Sequence, residues 1–133
     1  MQISNFSIVV FNEHLGDNVG DINAPKFTFV GNETSLRKFT VPGVPSEDGY
    51  LIISAYDVQN SEHRIQINGR DLPNQDIPPS IGNTWKDTTD YIPSGFLQQG
   101  QNTIQIQRAR GSDNILIAFI IIHWKEDVVI GPV

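Results

Sequence analysis

Hydrophobic and polar residues alternate with a period of two along most of the chain, which predicts β-strands whose side chains point in turn to two faces. The alternation is clearest in five stretches, which run over 3–11, 50–58, 63–67, 102–107 and 115–124. Shorter apolar stretches around Phe27 and Phe39 predict two further strands, and 91–93 predicts a short edge strand ended by a proline. No stretch has the period typical of a long helix. The sequence therefore predicts an all-β protein.

Turn signals separate these stretches and suggest how the strands are connected. Asn68-Gly69 is a hairpin signal, because both central residues of a type I′ turn need a positive φ. Residues 73–90 contain several prolines and no periodicity, and they are expected to form a long loop. Long connections between short strands favour a jelly roll over a simple meander. We expect residues 1–133 to form a single jelly-roll β-sandwich domain of about eight or nine antiparallel strands.

A set of scaffold motifs within residues 50–124 resembles the galactose-binding-like β-sandwich. The matching residues are a strand ending in I-N-G at Ile67, Asn68 and Gly69, then Tyr91-Ile92, then Leu97, Gly100, Asn102, Ile104 and Ile106. That fold is shared by carbohydrate-binding modules and by sugar-binding domains of glycoside hydrolases. The resemblance implies the fold and a binding role, while the ligand residues of such domains lie in variable loops.

Composition excludes several classes of function. The net charge is −6, which disfavours nucleic acid and anionic membrane surfaces, because both need a basic face. The chain has no cysteine, so disulfides and thiolate chemistry are excluded. The N-terminus, Met1 to Phe6, has neither a basic region nor a long apolar run, and it does not predict a signal peptide. The compartment stays open between the cytoplasm and export by a route that the sequence does not reveal.

Trp85 is the strongest candidate for ligand contact. A sugar ring stacks on an exposed aromatic side chain, while amides and carboxylates nearby bind its hydroxyl groups. We expect six residues of the region to form such a platform: Trp85, Asn83, Lys86, Asp87, Asp90 and Tyr91. The alternative is that Trp85 folds back to cap the edge of the sandwich. Trp124 ends a very apolar strand and is expected in the core.

The loop over residues 12–23 is the candidate metal site. Four side chains place hard oxygen atoms within this short segment, as calcium requires, and they are Glu13, Asp17, Asp21 and Asn23. A structural calcium is therefore one hypothesis. The alternative is a solvated turn rich in Asp and Asn, because the spacing is not that of an EF-hand loop.

Catalysis has little support in the sequence. Asp57 and Asp76, with Asp87 and Asp90, would be the carboxylates of an acid/base pair, but nothing distinguishes them from ordinary loop residues. The three histidines are far apart in sequence and are expected at the surface or at strand edges. No nucleophile, phosphate-binding or dinucleotide motif is present. We therefore predict no catalytic residue and no enzyme activity.

The last strand is apolar on both faces. Ile115, Ile117, Phe119 and Ile121 are predicted on one face, and Leu116, Ala118, Ile120 and Ile122 on the other. One face of a sandwich sheet normally meets water, so an N- or C-terminal segment, such as 128–133, or another subunit is expected to cover the second face.

Three functions follow from these patterns, and the sequence favours them in a definite order. The first is a non-catalytic, lectin-like carbohydrate-binding module that uses loops at one end of the sandwich. The second is a homo-oligomeric structural or assembly protein without a small ligand. The third, a small hydrolase, has the least support.

Overall fold

A computed structural model describes residues 1–73 and 76–128. The described residues form ten strands and one short 3₁₀ helix, Val19–Asp21. The strands are β1 Gln2–Leu15, β2 Thr28–Gly31, β3 Arg37–Val41, β4 Val44–Pro45, β5 Gly49–Tyr56, β6 Arg64–Ile67, β7 Arg70–Asp71, β8 Trp85–Ile92, β9 Gly100–Gln107 and β10 Ile115–Asp127. None of the helices in the described part is long and apolar enough to span a membrane.

The strands form two sheets. The large sheet has the order β2-β1-β10-β5-β8, with β4 paired to the end of β10, and the small sheet has the order β3-β9-β6-β7. All pairs are antiparallel except β1 with β2, which is parallel, so the expectation of a purely antiparallel sandwich is wrong at this edge. The predicted all-β jelly-roll sandwich is confirmed.

The core fills the space between the two sheets. Inward side chains of both sheets form one cluster, and its fully buried aliphatic members include Leu51, Ile53, Ile65, Ile67, Ile104 and Ile106. Trp124 is 3% exposed and belongs to this cluster, as the sequence predicts. Removing this much aliphatic surface from water is the main favourable contribution to folding, at roughly 25 cal/mol per Å².

The face pattern predicted for β10 is wrong beyond Ile117. A β-bulge between Ile117 and Phe119 shifts the pairing with β5 by one residue. Ile115 and Ile117 therefore share the inner face with Ile120 and Ile122, and all four are fully buried. Phe119 and Ile121 point to the other side, because one extra residue reverses the alternation.

The face of the large sheet that points away from the small sheet, hereafter the outer face, carries three rows of paired side chains. The aromatic row consists of Phe6, His123, Tyr50 and Tyr91. The aliphatic row consists of Ile8, Ile121, Ile52 and Thr89. The mixed row consists of Val10, Phe119, Ser54 and Asp87. Phe6, Ile8 and Val10 are each more than half exposed, so the described residues leave this face largely uncovered. Of the predicted covering segment 128–133, residues 129–133 lie outside the described residues.

Asn102 ties the small sheet to its turns. Its amide nitrogen donates to the carbonyl oxygens of Gln98 and Gly100, and its amide oxygen accepts from Asn68 and from the Gln98 backbone. Asn68 and Gly69 have φ values of 53° and 77° and form the predicted hairpin turn between β6 and β7. The Asn68-Gly69 turn and the segment from Leu97 to Asn102 are thus joined by one hydrogen-bond network.

The predicted loop over residues 73–90 is wrong in its second half. Trp85 begins an eight-residue strand that pairs with β5 along its whole length. Pairing with an apolar neighbour overrides the polar composition of this segment, because β-propensity depends strongly on context. Residues 94 and 95, which follow β8, form a turn.

We expect Asn102→Ala to lower the free energy of unfolding by about 2–4 kcal/mol, because it leaves several buried donors and acceptors unpaired. Urea unfolding of both proteins measures the difference. Gln101→Ala, at an exposed neighbouring position of β9, is the matched control and is expected to change stability by less than about 0.5 kcal/mol. Equal effects of the two substitutions would contradict the role assigned to the Asn102 network.

Candidate functional site

Trp85 lies in an aromatic groove at one end of the outer face. Its ring centroid is 5.8 Å from that of Phe27 and 5.5 Å from that of Tyr56. The groove has a volume of about 480 Å³, and residues 22–27 line its other side. Trp85 is 47% exposed, so nearly half of the indole is open to a ligand.

Two loops build this groove. The first, residues 16–27 and hereafter the covering loop, lies over the end of the outer face, and Leu116 beneath it is only 4% exposed. The second precedes β8 and is held by Asp57, whose carboxylate accepts from the Asn83 backbone at 2.8 Å. The Asp57 backbone in turn donates to the Thr84 carbonyl at 3.0 Å, which fixes the point where Trp85 enters the sheet.

The polar groups of the groove are available for a ligand. Asn23, Lys26 and Tyr56 line it, and within residues 1–73 and 76–128 no hydrogen bond or ion pair engages the polar atoms of their side chains. An amide, an ammonium group and a phenol beside an open indole can bind hydroxyl groups around a stacked ring. The arrangement is therefore suited to a small polar molecule with one apolar face.

The structure divides the six predicted ligand residues between two faces of β8. Trp85, Asp87 and Tyr91 alternate on the outer face, whereas Lys86 and Asp90 point to the opposite side. Asn83 lies in the preceding turn with a φ of 58°. Trp85 and Tyr91 are six residues apart on the strand, or roughly 20 Å. The six side chains do not form one platform, because a strand sends neighbouring side chains in opposite directions.

Tyr91 lies at the other end of the outer face, in the aromatic row beside Tyr50. A hydrogen bond from its hydroxyl to the Asp48 carboxylate raises the pKa of Tyr91. Asp48 also accepts from the Ser94 backbone at 3.0 Å. Tyr91 therefore lies near the residue that precedes β5, and it takes no part in the Trp85 groove.

The four predicted calcium ligands do not converge. Glu13 accepts from the backbone and hydroxyl of Ser35, and Asp17 pairs with the Arg108 guanidinium at 2.6 Å. Asn23 lines the groove instead, and Asp21 is exposed. Across the described part of the chain, no group of three or more carboxylate or imidazole side chains could hold a metal ion. Protein donors therefore already engage two of the four predicted calcium ligands, Glu13 and Asp17.

Two other buried acids lie against each other inside the sandwich. Asp76 is fully buried and accepts from the Ile65 amide at 2.6 Å, and Asp90 is 7% exposed and accepts from the Tyr91 amide. The remaining oxygen atoms, Asp76 Oδ1 and Asp90 Oδ2, receive no hydrogen from any donor among the described residues. The two carboxyl groups are within hydrogen-bonding reach, so one shared proton would satisfy both.

Burial, together with the charge of Asp76, raises the pKa of Asp90 to about 7. Burial also raises the pKa of Asp76, against the hydrogen bond from Ile65. The positive charge of Arg64 nearby lowers both pKa values in part. A raised carboxyl pKa means that the folded state holds the proton more tightly than the unfolded chain. The stabilising effect of that proton is complete below the pKa of the unfolded chain, near 3.8. It is lost as the pH rises through the pKa of folded Asp90, about 7.

Sequence reasoning missed the partners of Trp85 and the burial of two histidines. Phe27, Lys26 and Tyr56 reach the groove from two other segments, and only the outward position of Tyr56 in an alternating strand hinted at this. His63 is fully buried, accepts from the Ala109 amide at 3.0 Å and contacts the Asp113 carboxylate at 2.7 Å. His14 is also buried, against Phe29, and burial lowers its pKa.

We expect Asp90→Asn to stabilise the protein above neutral pH and to have little effect near pH 5, since the amide replaces a protonated acid. The gain at about pH 8 should be on the order of 2–4 kcal/mol in urea unfolding. Asp87→Asn, on the exposed face of the same strand, should show no such dependence on pH. A constant difference between Asp90→Asn and wild type from pH 5 to pH 8 would rule out the shared proton.

We expect the melting temperature to be the same with millimolar calcium and with a chelator, because Ser35 and Arg108 already satisfy Glu13 and Asp17. Differential scanning calorimetry provides the measurement. Asp17→Asn should lower the melting temperature equally in both buffers, since it weakens the contact with Arg108. A rise with calcium that Asp17→Asn abolishes would show that the carboxylate binds the ion.

Several solved structures share this fold. The CBM36-1 domain of a multidomain xylanase from the hindgut metagenome of Trinervitermes trinervoides is 16% identical, with a TM-score of 0.55 over 89% of this chain and 96% of that domain. The carbohydrate-binding module CBM36, solved with calcium and xylotriose, is 15% identical, with a TM-score of 0.55 over 87% of this chain and 98% of the module. At these identities the likeness establishes the fold.

The same sandwich also occurs within a larger protein. Latent PorU from Porphyromonas gingivalis is 11% identical, with a TM-score of 0.58 over 95% of this chain and 13% of that protein. No curated protein matches the sequence. A family model matches residues 3–126, almost the whole chain. The protein therefore belongs to DUF7383, a family of unknown function, and this chain has the β-sandwich fold that the two CBM36 structures also have.

Proposed function

We propose that this protein is a non-catalytic carbohydrate-binding module whose ligand site is the Trp85 groove. The observation that carries the proposal is a half-exposed indole beside Phe27 and Tyr56, at one end of a sandwich of the carbohydrate-binding type. The groove volume of about 480 Å³ falls within the range of roughly 300–1,000 Å³ that is usual for small-molecule sites.

A sugar ring suits the chemistry of this groove. One face of a pyranose carries C–H groups that pack on an indole, and its edge carries hydroxyl groups that need hydrogen-bond partners. Asn23 and Tyr56 supply both donors and acceptors at the edge of Trp85, and Lys26 supplies donors only. Because these groups have no partner among the described residues, binding would cost no existing protein contact.

The arrangement of the carboxylates supports a non-catalytic role. A glycosidase places two carboxyl groups on either side of a bound sugar, roughly 5–10 Å apart. Asp76 and Asp90 are buried inside the sandwich, and Asp57 is engaged with the turn before β8. None of the residues that line the Trp85 groove in the described structure is an acid. The names of the similar modules, which describe carbohydrate binding, support the same conclusion.

A second candidate function is assembly through self-association without a small ligand. The specific observation that favours it is the uncovered apolar surface of the three outer-face rows. This role is compatible with sugar binding, because the Trp85 groove lies one row beyond the mixed row. A measurement of glycan binding tests the carbohydrate-binding function separately from the oligomeric state.

We expect Trp85→Ala to weaken binding to any recognised glycan by at least about tenfold, because the stacking surface is lost. A glycan array followed by isothermal titration calorimetry on the best ligand measures the loss. The fold should persist, since Trp85 is 47% exposed at the start of an edge strand.

The matched control is Lys86→Ala, the next residue of β8, whose side chain points away from the groove. Its affinity should equal that of wild type. Trp85→Phe should recover part of the affinity, because a smaller ring still offers a stacking face. The absence of glycan binding by the wild-type protein, or an equal loss in Lys86→Ala, would refute the proposed site.

A further inference from the structure

The outer face of the large sheet is an apolar surface that the described residues do not explain. Its three rows hold twelve side chains, of which Asp87 is the single carboxylate and His123 the single imidazole. Phe6, Ile8 and Val10 are 58%, 57% and 54% exposed. Contiguous apolar surface of this kind on a soluble domain usually meets a partner.

We propose that a second copy of this chain covers the outer face, with a two-fold axis that runs along the aliphatic row. The protein carries a net charge of −6, so two copies repel each other unless they meet where charge is sparse. The outer face is such a region, and a symmetric dimer uses one self-complementary surface twice. This proposal is independent of the sugar-binding function.

The size of the face fits a dimer. Four strands about 4.8 Å apart and three rows about 7 Å apart cover roughly 20 Å by 20 Å. The side chains corrugate that plane, and the flanking positions of β1 and β10, such as Ser4 and Lys125, extend it. The rows span roughly 400 Å² in projection, below the about 800 Å² that a standard interface buries on each partner, so the face and its border fit a dimer of modest affinity.

The chemistry and charge of the outer face argue against two other occupants, a carbohydrate and an anionic membrane. Ile8, Ile121 and Ile52 offer no hydrogen bonds, and a carbohydrate laid across them would leave its hydroxyl groups unpaired. An anionic membrane would be repelled by the acidic protein. The outer face of a second copy is apolar too, so it can pack on this row without leaving hydroxyl groups unpaired and without contact between like charges.

The covering loop decides the orientation of the axis. It lies beyond the mixed row, where it buries Leu116, and so closes one end of the outer face. An axis parallel to the strands would bring the two covering loops to the same end, where they would collide. An axis along the aliphatic row places them at opposite ends. It also sets the bulky aromatic row of each copy against the mixed row of the other, with Tyr50 opposite Ser54 and Phe6 opposite Val10.

Sedimentation equilibrium of the full chain at tens of micromolar tests the proposal. Wild type should show twice the monomer mass of 14.8 kDa. Ile8→Lys and Val10→Lys should each weaken the dimer at least tenfold, because they bury an unpaired charge. Leu36→Lys changes an equally exposed residue away from the outer face, at 56% exposure, and should leave the mass unchanged. Circular dichroism confirms that each variant is folded.

Crosslinking tests the axis, because the chain has no cysteine of its own. Ile8→Cys should crosslink to its counterpart in the second copy through a bifunctional maleimide of about 10 Å, the distance between stacked sheets. Crosslinking only in a mixture of Ile8→Cys and Thr89→Cys would place β1 against β8 and overturn the proposed axis. A wild-type monomer, or an equal effect of Leu36→Lys, would overturn the dimer. Glycan binding by folded Ile8→Lys, measured in parallel, separates failure of the dimer from failure of the sugar site.

Discussion

The structure depends on one constraint, the alternation of side chains along β10. This strand lies between β1 and β5 in the large sheet and supplies four fully buried isoleucines to the core. Thirteen residues of strict alternation would not place these four on one side, so the bulge after Ile117 is what keeps Ile115, Ile117, Ile120 and Ile122 together. The same bulge sends Phe119 and Ile121 outward. The bulge therefore determines which side chains of β10 enter the core and which contribute to the apolar outer face.

Buried polar groups hold the loops at the edges of this apolar frame. Glu126 is almost fully buried and accepts from Asn5, Gly43 and Trp124, so it joins the first and last strands to the turn before β4. The Arg108 guanidinium reaches both Asp17 and Asn32 in the same way. Both oxygen atoms of the buried Glu126 accept hydrogen bonds, whereas Arg108 keeps one buried nitrogen, Nε, without an acceptor among the described residues.

The Asp76 and Asp90 pair differs from Glu126 because each acid has one oxygen without a donor among the described residues. Such a pair is satisfied by a proton rather than by a side chain, which makes its contribution to stability depend on pH. It lies inside the sandwich, on the opposite side of the large sheet from Trp85. The dependence of stability on pH therefore arises on the inner face of β8, at Asp90, whereas the proposed ligand site lies on its outer face, at Trp85.

The sequence by itself determined the fold class, the Asn68-Gly69 hairpin, the core position of Trp124 and the apolar character of both faces of β10. Each of these depends on local periodicity or on a backbone angle, which neighbouring residues specify. Tertiary structure decided which face each residue of β10 occupies, the length of β8 and the separation of Asp90 from Trp85. It also decided the composition of the groove, where Phe27, Tyr56 and Trp85 come from three distant segments. Contacts between residues so far apart in sequence depend on strand pairing and loop packing across the whole chain. A local sequence pattern does not predict them.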